Sequence, residues 1–431
     1  MKRGSILLIF LFTVIFFSFS QNNTWSGNLD VMGNKLPLVF HLDDENPTVD
    51  SPAQGVKGIP VKIEKSGEEE IAISIPLIKA GFEGKFENNQ IVGTFSQNGM
   101  SFPLTLIPGE KETRRPQTPQ PPFPYSQEEV SFSNGEAILK GTLTLPPNYS
   151  VDIPVLLMVT GSGLQNRDEE IFEHKPFAVL ADALARKGIA TLRYDDRGFG
   201  ESTGDPVNCT TEDLMMDALS GINLLRSRFK NVGVIGHSEG GTIAMMLAAD
   251  KNVDFIVSLA GMVVSGKETL LEQNRVILTE AGIPEKTVKE YCQMLSMIFD
   301  NEESFSEKLE NSELPIDLKK NLDAVIQQLN SPYMKYFLSL DMRERLGEIN
   351  CPVLALNGTK DTQVFYTSNL EALNKGLEGN NLNYIKSLDG LNHMFQHCST
   401  GAITEYALIE ETIAPEVLTL ITDWILSLTF P

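Results

Sequence analysis

Residues 236–240 read Gly-His-Ser-Glu-Gly, a G-x-S-x-G turn with Ser238 at its centre. An apolar run, 231–235, precedes it and a helix-forming run, 241–249, follows. Strand, sharp turn and helix in that order make a nucleophile elbow, which strains the serine backbone and lifts its hydroxyl above the sheet. Glycines at 236 and 240 are required because a β-carbon there would meet the neighbouring strand or helix. Outside that context the same five residues are a small-residue turn with an idle serine.

A serine hydroxyl is a poor nucleophile alone and needs a base, itself oriented by an acid. The chain has five histidines: His41, His174, His237, His393 and His397. His41 falls in a separate N-terminal region and His174 precedes the elbow. His237 sits inside the elbow and is expected to point away from the hydroxyl. His393 follows the apolar segment 382–387, and His397 is its competitor. Asp361 follows the apolar segment 352–357 and could instead be a turn aspartate capping the next helix. Asp389 is a second carboxylate in the region, very near the histidine in sequence.

Two phrases widen the pattern. Gly161-Ser-Gly-Leu-Gln-Asn-Arg-Asp168 follows the apolar strand 155–160, and Arg193-Tyr-Asp-Asp-Arg-Gly-Phe-Gly-Glu-Ser202 follows the next. With the elbow, they make the segment from about residue 126 to the end resemble an α/β-hydrolase. More narrowly, it is similar to secreted bacterial serine esterases that carry GSG-x-x-x-RD after the third strand. The resemblance implies the chain order serine, acid, histidine. That order points to a triad of Ser238, Asp361 and His393. It also implies two backbone donors for an oxyanion, the N–H of Glu239 and that of Ser162, with Gly163 as the alternative to Ser162.

The charged residues of the two phrases are expected to be scaffolding. Arg167 and Asp168 could pair within their loop, although Arg167 could instead meet an anionic substrate group. Asp195, Asp196 and Arg197 read as internally paired loop residues, not as a metal site. Metal-ligand spacing, H-E-x-x-H and a phosphate-binding G-x-x-x-x-G-K-S/T motif are all absent from the sequence. The resemblance therefore implies no cofactor and no metal.

The elements that position these residues divide into several regions. Lys2 and Arg3, an apolar core at 6–17 and small residues before Gln21 make residues 1–20 a secretory signal peptide, cut near Ser20-Gln21. A secreted or periplasmic location follows. Residues 21–109 carry short alternating segments punctuated by Gly, Asn and Pro, as in a small all-β barrel or sandwich. Its role stays open: substrate binding, covering of the site, or solubility. Residues 110–125 hold five prolines and are expected to form an extended spacer. Residues 126–431 open with a hairpin turning at Asn134-Gly135, followed by alternating strands and helices that predict a mostly parallel sheet. A helical stretch at about 262–345 would cap the site, with helices expected at 268–281, 285–299 and 315–329. Tyr291, Met294, Met297, Phe299, Tyr333, Tyr336 and Phe337 could line a pocket there, or pack the cap against itself.

Composition restricts partners. The formal net charge is -22, and cleavage after residue 20 removes two cations and no acid, leaving -24. Such a chain repels nucleic acid and anionic lipid. The partner expected is a small-molecule ester, without nucleic acid or stable membrane association. Cys209, Cys292, Cys351 and Cys398 allow three full disulfide pairings, and the sequence does not choose among them. A peptidase or amidase with the same triad, or a binding protein on an inactive hydrolase fold, are the competing functions.

Overall fold

The computed structural model describes residues 24–31, 34–42, 46–52, 56–67, 69–97, 99–109 and 115–429. The expected signal peptide lies outside the described residues. The chain divides into two compact units, Met1–Glu112 and Thr113–Pro431. Among the described residues, no helix is long and apolar enough to cross a membrane.

The first unit is one antiparallel sheet. Its strands are β1 (Thr24–Val31), β2 (Asn34–His41), β3 (Thr48–Ser51), β4 (Val56–Pro60), β5 (Lys62–Ser66), β6 (Glu70–Ile75), β7 (Ala80–Glu87), β8 (Gln90–Gln97) and β9 (Met100–Pro108). They lie in the order β4-β3-β2-β1-β9-β8-β7-β6-β5. The two outermost strands, β4 and β5, are separated in the chain by Val61 alone, so the sheet must curl until its ends approach. Phe40 of β2 and Phe82 of β7 accordingly meet across the interior, with ring centroids 5.8 Å apart. Alternate residues such as Ile71, Ile73 and Ile75 point into this core. Of the two expected forms, a curled, barrel-like sheet is the one observed.

The second unit carries the candidate site. Its strands are β10 (Ser126–Asn134), β11 (Ala137–Leu145), β12 (Pro154–Val159), β13 (Ala190–Tyr194), β14 (Asn231–His237), β15 (Phe255–Leu259), β16 (Val353–Gly358) and β17 (Tyr384–Leu388), in the order β10-β11-β13-β12-β14-β15-β16-β17. The hairpin β10–β11 is antiparallel and β11 pairs antiparallel with β13, while every later pairing is parallel. The hairpin pairs Asn134 with Ala137, so its two turn residues are Gly135 and Glu136, one residue later than expected. Gly135 takes φ +58 while Glu136 does not have positive φ, the pattern of a II′ turn with glycine at its first position.

Helices cover both faces of this sheet: α1 (Pro176–Ala185) and, near the C-terminus, α11 (Pro415–Ser427) on one; α2 (Thr211–Arg226), α3 (Glu239–Ala249) and α9 (Tyr366–Gly376) on the other. Strand β12 shows why the pattern reads as a continuous apolar run. Val155, Leu157 and Val159 enter one core, and Leu156 and Met158 enter the other. Helix α2 begins as its sequence specifies, with a capping box between Thr210 and Asp213.

Between β15 and β16 the insertion forms α4 (Gly266–Glu280), α5 (Glu285–Phe299), α6 (Phe305–Glu310), α7 (Ile316–Gln328) and α8 (Pro332–Ser339). Three of these match the expected helices; α6 and α8 were not anticipated. Tyr291, Met294 and Met297 are buried in the insertion's own core, with Phe299 packed against it. The proline-rich stretch is not a free spacer from residue 115 onward. Arg115 donates to the carbonyls of Phe172, Ala407 and Ile409, and Gln117 donates to Ile413 O. The four cysteines are free thiols.

Candidate active site

Four loops at the carboxyl ends of parallel strands converge, the position where open α/β sheets hold ligands. They follow β12, β14, β16 and β17.

Ser238 sits at the tip of the β14–α3 turn with φ +53 and ψ -119, strained for a residue with a side chain. Its amide donates to Leu259 O at 2.8 Å, and its side chain makes no capping bond to the helix that follows. The flanking glycines are forced by close approach. A β-carbon on Gly236 would lie 1.9 Å from Gly240 O, and one on Gly240 would lie 2.0 Å from Val159 O.

Asp361 and His393 come together from different loops. His393 Nδ1 and Asp361 Oδ2 are 2.8 Å apart, and both side chains are buried. Asp361 Oδ1 accepts the amides of Gln363 and Val364 at 2.8 and 2.9 Å, so the carboxylate cannot swing away. The two loops are tied by Lys360 N donating to Leu391 O at 2.9 Å. Asn392 then folds the histidine loop, its Oδ1 accepting from the amides of Met394 and Gln396. Asp389 bonds Thr359 and lies outside this arrangement.

Ser238, His393, Ser162 and Glu239 line one cavity of about 370 Å³. Among the described residues, neither the Ser162 nor the Glu239 amide has a hydrogen-bond partner. Leu270 of α4 and Met334 and Phe337 of α8 supply an apolar wall, with Met262 and Ile403. Of the aromatic residues proposed for the pocket, Tyr333 and Phe337 reach it; Tyr336 packs against the main core instead. Among the described residues, no lysine or arginine lines the cavity, and no group of three His, Cys, Asp or Glu side chains could hold a metal ion.

The remaining histidines are placed elsewhere. His237 lines the same cavity, its Nδ1 2.9 Å from Glu169 Oε1 and its Nε2 2.9 Å from His393 O. Burial lowers its basicity, but the Glu169 carboxylate, the His393 carbonyl and Asp361 together outweigh that, and the net shift is upward. His397 is exposed and bonded to Glu411 and Glu416. His174 is buried between Thr412 and Tyr406 O, and burial pushes its imidazole down to about 4. His41 pairs with Asp50 in the first unit.

The charged residues of the two phrases are indeed paired, but between loops. Arg167 binds Asp195, Glu129 and Glu201, while Asp168 binds Arg193. Arg197 binds Asp217. Asp196 is buried, accepting from Thr160 Oγ1 at 2.9 Å and Gln165 N at 2.8 Å. Burial, helped by the nearby Glu169 and Glu239 carboxylates, pushes it up to about 8.

The side chain of Glu169 and the bond that Tyr333 makes to Glu239 were not foreseen from the sequence. Glu169 has no local motif that announces it. Tyr333 OH donates to Glu239 Oε2 at 2.6 Å, and Thr211 Oγ1 donates to Glu239 Oε1 at 2.7 Å. Helix α8, which carries Tyr333, does have a sequence signal: Ser331 caps the Met334 amide and Pro332 sits at the first helical position.

Comparison with known proteins agrees with this architecture. Esterase EstD of Thermotoga maritima is 32% identical over 282 residues, covering 63% of this chain. The chain spans 61% of the length of that curated relative. An uncharacterised 31.7 kDa Escherichia coli protein from a traX-finO intergenic region is 27% identical over 200 residues, covering 42% of this chain and 66% of that protein. Among solved structures, the Pyrococcus furiosus esterase Pf2001 aligns with a TM-score of 0.45 at 16% identity, covering 74% of this chain and 98% of its own. Est1E from Butyrivibrio proteoclasticus with bound ferulic acid aligns with a TM-score of 0.41 at 16% identity, covering 69% and 98%. The profile of the family described as serine aminopeptidase, S33, matches residues 173–397, just over half of the chain, and with this sheet order and elbow the chain belongs to that family of α/β-hydrolases.

Proposed function

We propose that this chain is an exported serine hydrolase that cleaves small, uncharged carboxylic esters with short acyl groups. The observation that carries the reading is the buried 2.8 Å His393–Asp361 bond in the same cavity wall as the strained Ser238. Ser238 Oγ attacks the ester carbonyl carbon as His393 takes its proton. The tetrahedral oxyanion is held by the amides of Ser162 and Glu239, and collapse expels the alcohol, protonated by His393. Water, deprotonated by the same histidine, then releases the acid and frees Ser238. Asp361 fixes the imidazole so that Nδ1 carries a proton and Nε2 is left to accept the serine proton, and it stabilises the imidazolium when that forms.

The cavity chemistry supports an uncharged substrate. Its walls are mostly apolar or neutral and polar; Glu239 is engaged by Tyr333 and Thr211, and Oε1 of Glu169 by His237 and Gly161 N. Export rests on the N-terminal sequence pattern of residues 1–20. The test is a fluorophosphonate probe followed by a panel of nitrophenyl esters and aminoacyl anilides. Labelling of Ser238 with ester turnover supports the reading. No labelling points to a binding protein, and faster anilide cleavage points to a peptidase.

A further inference from the structure

Beside the candidate triad lies a second histidine–carboxylate pair. His237 immediately precedes Ser238. Its Nε2 is 2.9 Å from His393 O, a carbonyl that can only accept, so Nε2 carries a proton. Its Nδ1 is 2.9 Å from Glu169 Oε1, and that same oxygen accepts the Gly161 amide at 2.8 Å. The other oxygen of Glu169 is buried without a partner among the described residues. With the Gly161 N–H already on Oε1, the short contact with Nδ1 is attractive when Nδ1 also carries a proton, so that a cation faces the carboxylate. His237, protonated on both nitrogens, is the cation in reach.

The pair joins three loops at one point. Through Gly161 it holds the turn that presents Ser162. Through the His393 carbonyl it holds the backbone of the proposed base. Through its own chain it holds Ser238. A β-carbon on Gly161 would come 3.2 Å from Ser238 Cβ, so this turn is packed directly on the serine. Glu169 keeps φ +53, an unfavourable left-handed conformation for a residue with a side chain, which fits a side chain fixed by strong partners.

Resting on the esterase reading above, we propose that Glu169 and His237 are a charged positioning pair. Their shared proton aligns the oxyanion turn with the base, and its loss at alkaline pH lowers turnover. Without that proton a carboxylate would face an imidazole lone pair, and the contact would turn from attractive to repulsive. The groups around the imidazole favour keeping the proton. Glu169 faces it from the β12 loop, Asp361 acts on it from the β16 loop, and the His393 ring lies 4.7 Å away. Glu239 on α3 and Asp196 after β13 lie near Glu169, and Asp196, pushed up to about 8, is held largely neutral at neutral pH. No lysine or arginine lines the cavity among the described residues. The upward displacement of the His237 titration agrees with this arrangement.

The test uses the full chain and a nitrophenyl acetate or butyrate substrate, with kcat and KM measured from pH 5 to 10. The expected wild-type profile falls on the alkaline side, at a pH above the ordinary histidine range. Glu169→Gln removes the charge but keeps an acceptor, and should move that limb to lower pH. His237→Gln keeps a donor for His393 O but cannot titrate, and should abolish the limb. In both variants kcat should fall about tenfold to a hundredfold, as for about 1 Å of misplacement, while KM changes little. In parallel, ¹⁵N-histidine spectra of Ser238→Ala at neutral pH should show an imidazolium with both ring N–H groups, assigned by its contact with the Phe395 ring. Alkaline limbs that superimpose in all three proteins, or a neutral His237 at pH 7, overturn the proposal. Failure of the esterase reading looks different: the wild type turns over no ester and Ser238 is unlabelled, while the spectra still decide where the proton is.

Discussion

Tyr333 of the helical insertion donates a 2.6 Å hydrogen bond to Glu239, the residue that follows Ser238. Helix α8 is thereby fastened to the first turn of α3, whose first residue, Glu239, lines the cavity. The Glu239 carboxylate is buried, and Thr211 occupies its other oxygen, so the insertion supplies a partner that the sheet and its helices do not. Burial, with the Glu239 carboxylate next, holds the Tyr333 phenol protonated far beyond the usual range.

Tyr333→Phe should therefore leave a buried carboxylate oxygen without its donor. A loss of about 1–3 kcal/mol is the ordinary cost of such a group. Chemical denaturation should show that loss, and kcat/KM on short esters should fall as the amide of Glu239 drifts. Unchanged values in both measurements would show that α8 is not held through this bond.

Ser238→Ala and His393→Ala should each lower ester turnover by about 10⁴–10⁶, with a folded protein by circular dichroism. His397→Ala should stay within about twofold of wild type, because that ring is exposed and bonded only to Glu411 and Glu416. Severe loss in His397→Ala with mild loss in His393→Ala would reverse the assignment of the base.

His174 gives a pH dependence of stability. Its imidazole is pushed down to about 4 by burial, whereas the unfolded chain takes up the proton near pH 6.5. Between those values the unfolded state binds more protons, so stability rises with pH through this window and falls as pH drops from about 6.5 toward 4. The full effect is about 3 kcal/mol. Melting temperatures at pH 4.5 and 7 should differ by less in His174→Gln than in wild type. Equal differences would mean that other groups set the acid sensitivity.

The cavity of about 370 Å³ is closed on one side by Phe337 and Met334. Acetyl to butyryl esters should outrun longer chains in kcat/KM, by about 1–3 kcal/mol per misfit methylene. Phe337→Ala should move the optimum toward hexanoyl or octanoyl esters. A wild-type optimum at long chains, or a Phe337→Ala profile identical to wild type, would remove the insertion from the explanation of specificity.

The elbow was legible in the sequence because its requirements are local. Gly236 and Gly240 answer to contacts with atoms a few residues away or on an adjoining strand, and the apolar run before Ser238 reads directly as a buried parallel strand. The helices α4, α5 and α7 were readable for the same reason. Asp361 and His393 were placed by the chain order that the α/β-hydrolase resemblance implies, each on a loop after an apolar strand. What no local pattern contained was how side chains far apart in the chain would meet. Arg167 pairs with Asp195 and not with its neighbour Asp168, because the β12 and β13 loops lie side by side and i,i+1 side chains diverge. Glu169 reaches His237, 68 positions away, and Tyr333 reaches Glu239, 94 positions away. Those contacts follow from the packing of loops and of α8 onto the elbow, so only the tertiary structure decided them, while the sequence alone determined where the serine, its turn and its ordered partners stand along the chain.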